Sequence, residues 1–229
     1  IPIRFGLLNV TGESVMNDQL FVLHESQQTL VLENMATPVI PSLLRGFSAP
    51  VQLEFAHSES QWLVLLAHDT DAFNRWEASQ RLYLAATMQA LAQEAVAPAL
   101  LSQALISGLR QVLRHPELDA AFKELVLTLP SESYIAEQAS VVDPQKIHQV
   151  REAMRLQIAL EMQEDWKWAS DHHRVTGEYS PDATSSGRRA LQGLALNYLC
   201  LAGQSLNDDH WAQQAVQAFN RANNMTERM

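Results

Sequence analysis

The hydrophobic period of this chain changes near residue 70, and that change limits the folds open to it more than any other feature. Before it, apolar residues alternate with polar ones in short runs. Ile1, Ile3 and Phe5 alternate with Pro2 and Arg4, and Thr11-Gly12 offers a turn. Such alternation turns one face of a strand to a core and the other to water. Leu20 to His24, Thr29 to Glu33, Val51 to Phe55 and Trp62 to Ala67 read as further strands. Pro38, Pro41, Gly46 and Pro50 read as loop punctuation, since proline cannot donate to a ladder. Short strands at this spacing predict a small sandwich.

After residue 70 the period becomes helical. Asp71 is placed to cap a first helix whose stripe is Phe73, Trp76, Tyr83, Leu84, Met88 and Leu91, with Trp76 expected in the core. A second helix is predicted from about Pro98 to Arg114, with Leu101, Leu105, Val112 and Leu113 facing inward and His115-Pro116 ending it. A third covers Leu118 to Leu127, and Ser131 caps a short fourth after Leu129-Pro130. Asp143-Pro144 is a strong start signal, an N-cap followed by proline at the first helical position. From there Ile147, Val150, Met154, Ile158 and Met162 step by three or four along one long helix toward Ala169. Gly177 to Gly187 reads as a polar loop. Leu191, Leu194, Tyr198 and Leu199 mark a sixth helix, and Trp211, Ala215 and Phe219 a seventh. Successive segments of this kind pair as antiparallel hairpins, in a bundle or a solenoid. No fixed repeat period is present, which disfavours a regular tetratricopeptide or ankyrin array.

The expected fold class is therefore a multidomain α and β chain. A small immunoglobulin-like β-sandwich covers residues 1–69, its N-terminal strand expected to be missing, and an all-α domain of helical hairpins covers 70–229. The chain opens at Ile1 in mid-strand and closes at Met229 just past a helix with an unpartnered apolar face. It is expected to be part of a longer protein.

Composition narrows the partners. The net charge is -10, with 26 acidic against 16 basic residues, a surface that repels phosphate backbones and argues against nucleic acid. The longest apolar runs, such as Leu63 to Ala67, are far short of a membrane span. Cys200 is the only cysteine, so no disulfide forms within the chain and a reducing, cytoplasmic setting is expected. Between Leu199 and Leu201 it reads as a buried small hydrophobe.

Few residues carry chemistry. His24-Glu25-Ser26-Gln27-Gln28 resembles half of a zinc helix, but metal-gripping residues four apart must both be ligands and the fifth position is Gln28. Among strands, a solvated hairpin is the better reading. His172-His173, near Asp171 and Glu178, is better read as capping a helix end than as a metal site, because adjacent histidines point to different faces. Trp166 continues the Met162 stripe into the core, whereas Trp168 lies off it and suits a helix contact. Glu161, Glu164 and Asp165 around Lys167 read as a solvated face. Arg188-Arg189 could clamp an anion or a peptide carboxylate, or form interdomain salt bridges. There is no phosphate loop and no Gly-x-Ser-x-Gly elbow. The residues supply no catalytic, cofactor-binding or metal-binding set.

In order along the chain, several stretches resemble the bacterial aminopeptidase N family of zinc metallopeptidases. They are Phe47-Ser48-Ala49-Pro50-Val51, Phe73-Asn74-Arg75-Trp76-Glu77-Ala78, Leu127-Thr128-Leu129-Pro130-Ser131 and Val142-Asp143-Pro144. Val150-Arg151-Glu152-Ala153, Arg188-Arg189-Ala190-Leu191 and Ala222-Asn223-Asn224-Met225-Thr226 complete the set. The resemblance implies a parent with an upstream His-Glu-x-x-His zinc domain, a small β-sandwich and a large helical domain over the active-site cavity. This chain then corresponds to most of the sandwich and the first part of the helical domain. No residue matches the family's zinc ligands or substrate motifs, so none is carried over. Its expected partners are the catalytic and remaining helical parts of the same parent, with peptides as the parent's substrates. Two rival readings are a stand-alone helical adaptor that binds a partner peptide and a hydrolase with a novel site. An upstream His-Glu-x-x-His in the reading frame separates the first from the aminopeptidase reading. The second needs titratable groups gathered in one pocket.

Overall fold

A computed structural model describes residues 1–229 apart from 34, 36, 37, 94–96, 98, 223, 229 and the side chain of Glu227. It divides into two compact units, Ile1–Leu82 and Tyr83–Met229. The predicted start of the second helix at Pro98 and the quoted Asn223 lie outside the described residues.

In the first unit, β1 (Pro2–Asn9) is the middle strand of an antiparallel sheet. It is flanked by β2 (Ser14–Val22) and β3 (Val39–Leu43). Ile3 faces Phe21 across one ladder, and Phe5 faces Leu43 across the other. Phe5, Leu7 and Leu8 are buried with Ile40 of β3. The turn after β1 is closed by Asn9, whose Oδ1 accepts from the N–H groups of Thr11 and Glu13 at 3.0 and 2.9 Å. Gly12 has φ +86° there, and a Cβ on it would lie 2.2 Å from the His68 ring, so the turn needs glycine twice over.

β3 was not expected, because Pro38 and Pro41 argued for a loop. It pairs with β1 alone, and an edge strand tolerates a residue without an N–H. Conversely, Thr29 to Glu33 and Val51 to Phe55 form no strand, and Trp62 to Ala67 is helical, within α1 (Glu59–His68). The cause lies just upstream. The Ser58 side chain accepts from the Gln61 N–H, and the Gln61 side chain accepts from the Ser58 N–H, a reciprocal cap that starts a helix regardless of the apolar run behind it.

A polar cluster completes this unit. Arg45, in a short 3-10 turn at Arg45–Phe47, is buried between Asp18 and Asp69 and donates to Thr70. Asn74 donates to Ser42 at 3.0 Å, and Arg75 to the Ala67 carbonyl at 3.0 Å. Both belong to α2 (Ala72–Leu91), whose N-terminus Asp71 caps by accepting from the Asn74 N–H. The buried face of α2 is Asn74, Arg75, Ala78, Ser79, Leu82, Tyr83, Thr87 and Ala90. Trp76 is only half-buried, contrary to expectation. The stripe picked out by large apolar residues missed a buried face built largely from small and polar ones.

The second unit is all helical among its described residues. Side-chain caps from Ser102, Asp119, Ser131, Asp143 and Asp182 start α3 (Gln103–Arg114), α4 (Ala120–Leu127), α5 (Glu132–Gln138), α6 (Pro144–Glu161) and α8 (Ala183–Leu206). The expected long helix from Pro144 is broken at Met162 (φ -111°, ψ 22°), and a separate helix, α7 (Gln163–His172), follows it. Trp166 fills the break, its Nε1 donating to the Ile158 carbonyl at 3.2 Å and its ring stacked on Tyr198 at 4.6 Å. The loop before α8 is shorter than expected, since α8 starts at Ala183.

α8 packs against α4, α6, α7 and α9 (His210–Arg221). Its buried residues Leu191, Ala195, Tyr198, Leu199 and Ala202 follow a helical face. Tyr83 and Tyr198 donate to consecutive carbonyls at the end of α4, Val126 and Leu127, at 3.3 and 3.4 Å. Buried hydroxyls are satisfied this way without breaking the apolar core. α9 buries none of its residues, and Phe219 is 53% exposed. A short α10 (Met225–Arg228) follows.

Candidate functional site

Three residues singled out by sequence, His172, His173 and Arg188, meet at one place in the second unit. A cleft of about 550 Å³ opens between the first turn of α4, the end of α7 and the first turns of α8. Asp119, Ala120 and Ala121 line one side, His172 and His173 a second, and Ala183, Thr184, Gly187 and Arg188 the third. The two helices come together at Gly187, where a Cβ would stand 2.8 Å from the Ala121 nitrogen. Glycine is required here for close approach, not for its backbone freedom.

Each charged group in this region has a definite environment. Arg188 donates from Nη2 to the carbonyls of His172 and Arg174, at 2.8 and 3.2 Å. It thereby satisfies the open end of α7, so an arginine from α8 takes the capping role expected of the histidines. Arg189 donates to the Ser180 carbonyl and lies over the Tyr179 ring. Neither arginine forms an ion pair among the described residues. His172 is exposed and stacks on Trp168 at 4.6 Å, and Arg114 of α3 covers the same indole at 4.2 Å. Trp168 thus sits at a contact between α3 and α7, as its position off the core stripe suggested.

His173 is buried, and its Nε2 has no hydrogen-bond partner. Burial, reinforced by the positive charges of Lys123, His172 and Arg188, pushes its pKa down to about 4. Lys123 was not singled out by sequence. It is buried on α4, and burial lowers its pKa against the attraction of Asp119.

The His173 shift has a consequence for stability. The folded imidazole takes up its proton only near pH 4, the unfolded one near 6.5. Between those values the unfolded chain binds more protons, so acid favours unfolding. The contribution is complete above about 6.5 and lost on the way down to about 4. With solvent in the cleft it amounts to on the order of 2 kcal/mol. Urea unfolding across this range should show a shallower acid dependence for His173→Leu than for the natural chain; parallel curves would refute the assignment.

Other expectations are corrected. Asp165 is buried, not solvated, and accepts from Arg110 and Arg114 of α3 at 2.7 and 2.8 Å. Glu164 does stay on the surface, paired with Lys167 at 2.7 Å. Cys200 is half-buried, at the rim of a polar cleft of about 580 Å³ shared with Glu152, Arg155 and Asp208. Burial raises its thiol pKa, which keeps it protonated and unreactive. In the loop at His24, the N–H groups of His24 and Glu25 both donate to Gln28 Oε1, so Gln28 closes a turn. Among the described residues no three His, Cys, Asp or Glu converge to hold a metal ion. No described helix is long and apolar enough to cross a membrane.

The first unit holds an apolar cavity of about 160 Å³ lined by Phe47, Phe55, Trp62, Leu65 and Phe73 among others. His57 borders it between the Phe55 and Trp62 rings, with its pKa lowered by burial.

A small antiparallel sheet followed by paired helices is the architecture of an Ig-like segment joined to an armadillo-type helical domain. Residues 59–229 match a family described as DUF3458_C, a domain of unknown function with ARM repeats, and residues 1–56 match DUF3458, described as having an Ig-like fold. Aminopeptidase N of Caulobacter vibrioides is 34% identical over 227 residues, covering 97% of this chain and 25% of its own. Aminopeptidase N of Haemophilus influenzae is 31% identical, covering 99% of this chain and 26% of its own. The crystal structure of Legionella pneumophila aminopeptidase A in complex with aspartic acid superposes with a TM-score of 0.86. It shares 26% identity and covers 100% of this chain and 27% of its own. The chain therefore belongs to the DUF3458_C family, with a DUF3458 segment before it, and spans about a quarter of the length of the curated aminopeptidase N relatives it matches.

Proposed function

We propose that this chain is the non-catalytic C-terminal region of a zinc aminopeptidase that removes N-terminal residues from peptides. It braces the parent's catalytic domain and helps enclose the cavity that admits peptides. The observation that carries this reading is the match to aminopeptidase N along nearly the whole chain but over only a quarter of the relatives' length. The residues present do not fit a zinc ion: Gln28 closes a turn where a second ligand would stand, and His173 is held neutral among cations. Zinc belongs, on this reading, to the part of the parent upstream of Ile1. The same reading divides the chain into a sandwich at 1–69 and the first part of the helical domain at 70–229, in a cytoplasmic protein. The protonated, half-buried Cys200 suits a reducing compartment.

Two measurements test it. The 229-residue chain should neither hydrolyse aminoacyl amides nor retain zinc after dialysis. The parent, with this region deleted, should lose activity or melt at a lower temperature. One zinc per chain, or a deletion that leaves the parent unchanged, overturns the reading.

A further inference from the structure

The apolar cavity of the first unit has three features that packing alone does not call for. The first is backbone strain. Leu44 and Phe47 both line the cavity, with φ +55° and +52°, a left-handed conformation that bulky side chains avoid. Such outliers persist only where the surrounding structure enforces them, and they gather at ligand clamps. The second is that the strain does not bury the ring it positions. Phe47 is 56% exposed, and Phe55 across the cavity is 46% exposed. The third is His57, which also lines the cavity and whose Nδ1 is buried without a hydrogen-bond partner among the described residues. A buried polar atom left unpaired costs free energy, and such atoms are few in folded proteins.

The walls set the charge, size and chemistry of what would fit. Among the described residues the charged side chains lining the cavity are Glu77 and Arg81, and they pair with each other at 2.8 Å. Burial lowers the His57 pKa against the pull of the Gln61 side chain and the Pro41 carbonyl, so the ring is neutral at pH 7. No net charge is left to hold an ion, and an ion would lose its hydration on entry. The volume is about 160 Å³. An apolar cavity of about 150 Å³ takes a single benzene ring. The aromatic walls suit one: Phe47 and Phe73 meet edge to face at 5.3 Å, and His57 lies 4.6 Å from Phe55 and 4.4 Å from Trp62. A neutral imidazole offers one donor nitrogen and one acceptor nitrogen, and a hydroxyl can meet either.

We propose that this cavity binds a small uncharged phenol, its ring held among Phe47, Phe55, Trp62 and Phe73 and its hydroxyl on His57 Nδ1. The proposal does not rest on the aminopeptidase reading, since every group it uses lies in the first unit, and it stands or falls separately.

The test is a titration of the 229-residue chain with p-cresol, followed by NMR of the Trp62 indole and the His57 ring. The expected result is a saturable shift of both. The same ring carrying a charge, as 4-methylbenzoate, should bind at least about tenfold more weakly. His57→Phe keeps a ring and removes the polar partner, so p-cresol should weaken about three- to tenfold while toluene is unchanged. Phe47→Gly separates binding from packing. Glycine takes the left-handed backbone without strain, so the melting temperature should hold or rise while p-cresol affinity falls about tenfold. A shift that grows linearly without saturating overturns the proposal, and so does 4-methylbenzoate binding as tightly as p-cresol. Unchanged p-cresol binding in either variant also overturns it, as does a lowered melting temperature for Phe47→Gly, which would mark that ring as ordinary packing.

Discussion

Trp166→Ala is expected to destabilise the second unit by about 3–5 kcal/mol, the loss typical of a large buried aromatic. The ring is fully buried at the break between α6 and α7. Its removal opens a cavity against Tyr198, with which it is stacked at an interplanar angle of 18°. It also removes the indole donor to the Ile158 carbonyl, leaving that oxygen with the Met162 N–H at 3.1 Å. Total stabilities of domains run to about 5–15 kcal/mol, so this one change removes a large share. Urea unfolding, read by circular dichroism, should show the midpoint falling with the slope unchanged. Trp76→Ala provides the contrast, because that indole is half-buried and should cost far less. Equal losses at the two sites would show that Trp166 does not hold the α6–α7 break.

The helical region was legible because its signals are local. Asp71, Ser131 and Asp143 cap where the sequence places them, and the Ile147 to Ile158 stripe is buried as read. The β region was read less well because two local signals competed. At Trp62 to Ala67 an apolar run suggested a strand, but the Ser58-x-x-Gln61 box upstream was the stronger instruction. At Val39–Leu43 two prolines hid an edge strand, and edge status is a property of the sheet, not of the segment. The break at Met162 is likewise invisible in a periodicity that passes straight through it.

The candidate site divides the same way. His172, His173, Arg188 and Arg189 stood out as residue types, but what they do depends on helices that meet far apart in sequence. Arg188 caps the end of α7 only because Gly187 lets α8 approach α4 beside it. Lys123 gave no signal, since a single lysine on an amphipathic helix reads as solvated. Asp165 looked solvated for the same reason; its two arginines lie 51 and 55 residues away.

Gln157→Leu is expected to cost about 3 kcal/mol although it adds apolar surface to a buried site. Gln157, on the inward face of α6, uses its whole amide group. Oε1 accepts from the N–H groups of Leu100 and Leu101, each at 2.8 Å. Nε2 donates to the Leu101 carbonyl at 2.9 Å and to Glu161 at 2.8 Å. The chain leading into α3 has no ladder here, so this one side chain satisfies three of its backbone groups. Leucine keeps the volume and removes every partner. An orphaned buried donor or acceptor costs about 1–3 kcal/mol, and Leu100 is partly open to water, which keeps the total below the simple sum. Hydrogen exchange separates this mechanism from a general loosening of the core. The Leu100 and Leu101 amides should lose protection selectively, while those of α8 change only as global stability falls. A loss under about 0.5 kcal/mol, with those two amides still protected, would show that the segment finds other acceptors.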